Sequence, residues 1–227
     1  MLVKDLYLLF FPKYCAGCDT QLLKNEKTLC LSCMHKLPVT DFTEEANNKV
    51  EQTFYGRIKL VFGTALLFYK DEGLTQHIIH QLKYNGNQEV GFFLGDLLGC
   101  ELLNSKRFQN IDCIIPVPLH PKKLKKRGYN QLTTFGKRIA NILNVAYIEN
   151  VLIRKKRTDT QTKRGRLERW INVQDIFYLK EEQALQNKHI LLIDDVITTG
   201  ATLEACALEL LKIPNVKISI ATMAYTE

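Results

Sequence analysis

Along this chain, short apolar runs alternate with stretches whose apolar residues recur every three or four positions. The runs are Lys59 to Tyr69, Ile111 to Val117, Ile148 to Ile153, Val173 to Leu179, Ile190 to Ile193 and Lys217 to Tyr225. Runs of that length predict strands, the more apolar of them covered on both faces. Helical spacing appears from Glu72 to Tyr84 through Leu74, Ile78, Ile79 and Leu82, again from Val90 to Leu103, and again from about Gln131 to Leu143. Beyond Gly200 it returns through Leu203, Ala207, Leu210 and Leu211. Strands alternating with helices predict an α/β fold, a parallel sheet with right-handed crossovers flanked by helices. Pro38 to Gln52 is polar and aperiodic and reads as a linker. The expected organisation is a small N-terminal unit over 1–37, a linker over 38–55 and the α/β domain over 56–227.

The stretch His189 to Leu211 carries the sharpest chemistry. An apolar strand ends in Asp194 and Asp195; Val196 and Ile197 follow, then Thr198-Thr199-Gly200-Ala201-Thr202, then a helix. A Thr- and Gly-rich turn curls the backbone so that several N–H groups face one anion, and the helix N-terminus adds its unpaired donors. The hydroxyls of Thr198, Thr199 and Thr202 can donate to the same oxygens. Asp194 and Asp195 are placed to accept from sugar hydroxyls, directly or through magnesium. A phosphate beside a pair of diol acceptors describes a ribose 5-phosphate. No Gly-Lys-Ser/Thr follows the glycine, which excludes a Walker A loop.

Cysteine spacing sets the N-terminal unit. Cys15-x-x-Cys18 and Cys30-x-x-Cys33 form two knuckles able to complete a tetrahedral zinc site. Four thiolates leave no open position, so such an ion is structural. Cys100, Cys113 and Cys206 lie in apolar surroundings and are expected in the core. Leu6 to Phe11 lacks a cleavage site and is expected as a short packing helix rather than a signal peptide. His77 and His80 share a helix without a third ligand nearby and read as surface or core residues.

Charge narrows the partners. The 227 residues carry a net charge of +7 at 46% hydrophobic content, which suits phosphorylated metabolites or nucleic acid. No apolar run reaches the roughly 18 residues of a bilayer span. The basic residues gather in two places. One is a loop, Pro118 to Gln131, with Lys122 to Lys126, Arg127, Gly128 and Tyr129. There Gly128 permits close backbone approach and Arg127 can fork onto phosphate oxygens. The other is Arg154 to Trp170, with eight Lys/Arg against Asp159 and Glu168. It reads as a lid over a ligand, as a single-stranded nucleic-acid groove with Trp170 stacking on a base, or as a solvated loop.

The segment LLIDDVITTGATL resembles the phosphoribosyl pyrophosphate (PRPP) motif of type I phosphoribosyltransferases. Arg127-Gly128-Tyr129 resembles the pyrophosphate-holding turn of adenine phosphoribosyltransferases. With the paired CxxC knuckles, Lys83-Tyr84 before Asn85-Gly86, and Arg154, Arg157, Gln161, Arg169 and Asn172, the chain is similar to the ComF family of competence-associated proteins. The resemblance implies a type I phosphoribosyltransferase-like sheet with an N-terminal four-cysteine zinc ribbon, structural Zn2+, and Mg2+ bound with PRPP. In catalysis it implies Asp194, Asp195 and Arg127. For the phosphates it implies Thr198, Thr199, Gly200, Ala201, Thr202, Gly128, Arg154 and Arg157. The implied setting is cytoplasmic DNA uptake, with single-stranded DNA and other uptake proteins as partners. Two alternatives stay open: a non-catalytic single-stranded-DNA-binding competence factor, and a regulator that senses PRPP without turnover. The acceptor is unidentified.

Overall fold

The computed structural model describes residues 12–154 and 177–226. Its strands are β1 Gly63–Tyr69, β2 Cys113–Pro116, β3 Ala146–Tyr147, β4 Leu152–Arg154, β5 Phe177–Leu179, β6 His189–Ile197 and β7 Lys217–Thr226. Five of them form one sheet in the order β1-β7-β6-β2-β3, every neighbouring pair parallel. The helices are α1 Leu31–His35, α2 Lys49–Thr53, α3 Leu74–Tyr84, α4 Glu89–Asn104, α5 Pro121–Arg127, α6 Leu132–Leu143 and α7 Ala201–Leu210. This is the parallel sheet flanked by helices that the hydrophobic pattern predicts.

The apolar run before the acid pair lies at the centre. Ile190, Leu191, Leu192 and Ile193 are each fully buried in β6, with β2 on one side and β7 on the other. A strand paired on both edges and covered on both faces needs side chains without polar groups, which is what this run supplies. On the helical layer, Gly91, Gly95 and Gly99 form a small-residue row at every fourth position of α4, facing α6. A Cβ on Gly95 would stand 2.8 Å from Arg138 Cβ, and one on Gly99 2.7 Å from Ile142 Cδ1. The missing side chains let the two helices close.

Several expectations need correction. Residues 148–153 do not add one strand to the main sheet. Leu152–Arg154 pairs antiparallel with Phe177–Leu179 in a separate two-stranded ribbon. The basic loop contains α5, which starts on Pro121 and ends on Gly128 at φ +82°. It buries no residue, so it leaves no apolar stripe for a periodicity argument to find. The polar linker is packed against the domain: Phe42, Val50 and Phe54 are buried, and the Asn48 side chain donates to the carbonyls of Phe42, Glu45 and Gly63. Cys113 and Cys206 are buried as expected, whereas Cys100 is exposed on α4. No described helix is long and apolar enough to cross a membrane.

Candidate functional site

The strand β6 does not stop at the acid pair. It runs through Asp194 and Asp195 to Ile197, and only then does the chain turn into α7. Gly200 makes that turn at φ +72°, a left-handed conformation that L side chains adopt at a cost. A Cβ there would also meet Phe54 Cε1 at 2.9 Å. The turn is clasped from below: Arg57 donates from Nη1 to the Thr199 carbonyl at 2.8 Å and to the Thr53 carbonyl at 3.0 Å. Arg57 Nε reaches Glu204 of α7 at 3.0 Å. The result is a cup of about 50 Å³ lined by Asp194, Thr198, Thr199, Gly200, Ala201 and Thr202 among others. Thr198, Thr199, Ala201 and Thr202 are all exposed to whatever enters it. A cup of this size at a helix N-terminus suits one phosphate-sized anion.

The two carboxylates differ. Asp194 keeps some exposed surface as a residue, yet its carboxyl is set deep against the sheet. Burial first, and the Asp195 charge second, push its pKa up to about 8. The Asp195 N–H donating to Oδ1 at 2.8 Å, and the positive charges of Lys83 and Arg154, pull the other way. Asp195 is held by partners: Lys83 Nζ lies 2.8 Å from Oδ2, and Gln131 Nε2 donates to the same oxygen at 2.5 Å. Gln131, almost wholly buried, accepts in turn from Arg127. Arg127 also lies over the Tyr84 ring, its guanidinium carbon 5.4 Å from the centroid. Tyr129 donates its hydroxyl to the Leu82 carbonyl, tying the turn after α5 to α3.

The structure therefore links Arg127 to Asp195 through Gln131, and sets the Thr198–Thr202 turn two residues past the acid pair. Gly128 sits at the C-cap of α5, one residue past Arg127. Arg154, at the end of β4, lies over the Phe177 ring with its guanidinium carbon 5.5 Å from the centroid, close enough for its charge to act on Asp194. Arg157, Gln161, Arg169, Asn172 and Trp170, and with them the lid-or-groove question, lie outside the described residues, as does the N-terminal stretch Leu6 to Phe11. Two residues of the site carry little local sign of their role. Lys83 belongs to a dipeptide with no evident function of its own, and Gln131 is one donor among several at a helix start. Their common partner, Asp195, is far along the chain, so no local pattern joins them.

The four N-terminal cysteines converge. Their sulfur atoms all lie within 4.8 Å of one another, and Cys18 Sγ stands 3.7 Å from Cys30 Sγ. Disulfide sulfurs sit about 2.05 Å apart, whereas tetrahedral Zn–S bonds of about 2.3 Å space sulfurs roughly 3.8 Å apart. The N–H groups of Gly17 and Cys30 point at Cys15 Sγ at 3.3 and 3.2 Å, the outer bonds that orient a thiolate. Hydrogen bonds from Thr20 lower the Cys18 thiol to about 6, while burial raises Cys33. This group can hold a metal ion such as zinc and fits a zinc ribbon. It rests on α3, where His77 Nε2 and Gln81 Nε2 each approach Asp19 at 3.1 Å.

The site is thus an acid pair on the central strand of a parallel sheet, followed after Ile197 by an anion-sized turn. Residues 133–226 match the phosphoribosyl transferase domain family. The chain is 32% identical over 138 residues to the DNA utilization protein YhgH of Escherichia coli O157:H7, covering 60% of each. It is 28% identical over 151 residues to competence protein F of Haemophilus influenzae, covering 65% of this chain and 66% of that one. With competence protein ComFC of Streptococcus pneumoniae it shares 23% over 190 residues, 83% of this chain and 77% of that one. The match to the first of these relatives thus spans about 60% of its length. Residues 133–226 thus match a phosphoribosyl transferase domain, and the chain is similar to DNA utilization and competence proteins.

Proposed function

We propose that the protein binds PRPP with Mg2+ and transfers its phosphoribosyl group to an acceptor, in the service of DNA uptake in the cytoplasm. The observation that carries this is the single strand–turn–helix unit in which two carboxylates adjoin the cup at Thr198–Thr202. In this reading the cup takes the 5-phosphate, with the Thr198, Thr199 and Thr202 hydroxyls and the backbone at Gly200 and Ala201 as donors. Asp194 and Asp195 take the ribose diol. Arg127, next to Gly128 and held by Gln131, turns onto the leaving pyrophosphate, helped by Arg154 and by Arg157. The acceptor's lone pair forms a bond to C1 as the C1–O bond breaks, and that electron pair departs with pyrophosphate. Cations around the leaving group stabilise the charge that develops there.

Magnesium fits the donor set, because two crowded carboxylates are the arrangement that a divalent cation relieves. If bound, it would be held by Asp194 and Asp195 and would supply charge neutralisation for the pyrophosphate. The Cys15, Cys18, Cys30 and Cys33 site holds Zn2+ in this reading and supports the fold. A second reading has its own observation. The exposed α5 presents Lys122, Lys123, Lys125 and Lys126, and the relatives carry the names DNA utilization and competence. A surface of that kind suits the backbone of single-stranded DNA.

Phosphorus NMR of PRPP with Mg2+, protein and candidate acceptors separates these readings. Pyrophosphate appearing with an acceptor, and lost in Asp195→Asn, is the expected result. PRPP binding without pyrophosphate release would leave a PRPP sensor. Oligonucleotide binding that weakens steeply with salt and ignores PRPP would leave a DNA-binding module.

A further inference from the structure

A phosphate cup works best when its N–H groups stand in place before the anion arrives. The Thr198–Thr202 turn does little to hold itself. Ala201 donates its N–H to Thr199 Oγ1 at 3.4 Å, a long bond, and Thr198, Thr199, Ala201 and Thr202 are exposed. The turn is held from outside instead, by Arg57. Its guanidinium donates through Nη1 to the carbonyls of Thr199 and Thr53, at 2.8 and 3.0 Å. Through Nε, at 3.0 Å, and through Nη2 it holds Glu204 Oε2 in the first turn of α7. We propose that Arg57 is a positioning residue for the 5-phosphate: by pinning the Thr199 carbonyl it aims the Gly200 N–H into the cup. The proposal rests on the transferase reading above and adds to it a residue from the segment that precedes the sheet.

The peptide plane carries the argument. In a trans peptide the C=O and N–H point in opposite directions, and no described peptide bond is cis. The Thr199 carbonyl faces Arg57, so the Gly200 N–H faces away from it. A planar guanidinium suits this task, because it holds several acceptors at fixed angles where an ammonium does not. The guanidinium is itself anchored. It lies over the Phe54 ring, its carbon 5.8 Å from the centroid, and Phe54 is buried against Gly200. The helix α2, which ends beside Phe54, is tied to the domain by Glu51. That carboxylate accepts from the Gly63 N–H at 3.1 Å and pairs with Arg107. Charge is not the means, because Glu204 neutralises the Arg57 guanidinium. Arg57 acts on the anion through the direction of one N–H.

The test uses the full-length protein with ribose 5-phosphate as the probe. Calorimetry gives the affinity, and NMR of protein carrying isotope-labelled glycine follows the Gly200 amide. Wild type is expected to bind saturably, with the Gly200 amide proton moving downfield. Arg57→Ala is expected to bind about tenfold more weakly, the scale of one hydrogen bond to a charged group, and to lose most of that downfield shift. The double variant Arg57→Ala/Glu204→Gln separates direction from charge and is expected to stay as weak. The proposal is overturned if Arg57→Ala binds like wild type, if the double variant recovers wild-type affinity, or if the wild-type Gly200 signal ignores the ligand. Arg57→Lys serves where the alanine variant does not fold. It keeps the charge without the planar fork, so weaker binding is expected, and wild-type affinity there would also overturn the proposal. Failure of the wild type to bind ribose 5-phosphate at all would bring down the transferase reading, and the role of Arg57 with it.

Discussion

Gly200 is the residue on which the anion cup depends. Its φ of +72° and the Phe54 ring 2.9 Å from any added Cβ penalise a side chain twice. Gly200→Ala is expected to lower the melting temperature, at a cost of about 1–2 kcal/mol, and to weaken PRPP binding. Thermal unfolding and calorimetry check the two effects. Asp194 makes a second prediction. Its folded pKa of about 8 lies above the ordinary 3.8, so between those values the folded chain keeps a proton that the unfolded chain has released. Its contribution to stability therefore falls as pH rises through that window. Asp194→Asn removes the penalty and should raise the ligand-free melting temperature by a few degrees at about pH 8.5, with the gap closing by about pH 3.5. A constant gap across that range would contradict this account of the carboxyl.

The element that joins the parts is α3. The cysteine ribbon rests on it through Asp19, His77 and Gln81, and its last turn carries Lys83 to Asp195. Gly17 lies in this contact, where a Cβ would stand 2.7 Å from Leu74 Cδ1 and 2.9 Å from Cys33 Sγ. Chelating the metal, or changing Cys18 to Ala, should therefore strip about one ion per chain and lower the melting temperature. Elemental analysis beside thermal unfolding reads both, and full stability in the metal-free protein would contradict a structural ion. Elements with a buried stripe are legible in the sequence: β6, α4, α6 and α7 fall where periodicity places them. The helix α5 is not, because nothing along it is buried. Residues 148–153 read as a sheet strand because a short apolar run looks the same in a sheet and in a two-stranded ribbon. Cys100 looks like core from its apolar neighbours, yet its position on α4 turns outward. Within the site, Asp194 to Thr202 can be read because the chemistry is contiguous. The Lys83–Asp195–Gln131–Arg127 chain cannot, since only the fold brings its members together.

At the scale of the molecule, a parallel sheet gathers the acid pair, the threonine turn and Arg127 into one neighbourhood. The net charge of +7 surrounds that neighbourhood with a field that favours polyphosphate and nucleic acid alike. What distinguishes the two is the acid pair, which repels a bare polyanion and suits a ribose diol. The most direct measurement is calorimetric titration of PRPP with Mg2+ into wild type and into the double variant Asp194→Asn/Asp195→Asn. Saturable binding to the wild type, abolished in a double variant that still unfolds cooperatively, is the predicted result. No binding by a folded, zinc-loaded wild type would contradict the account.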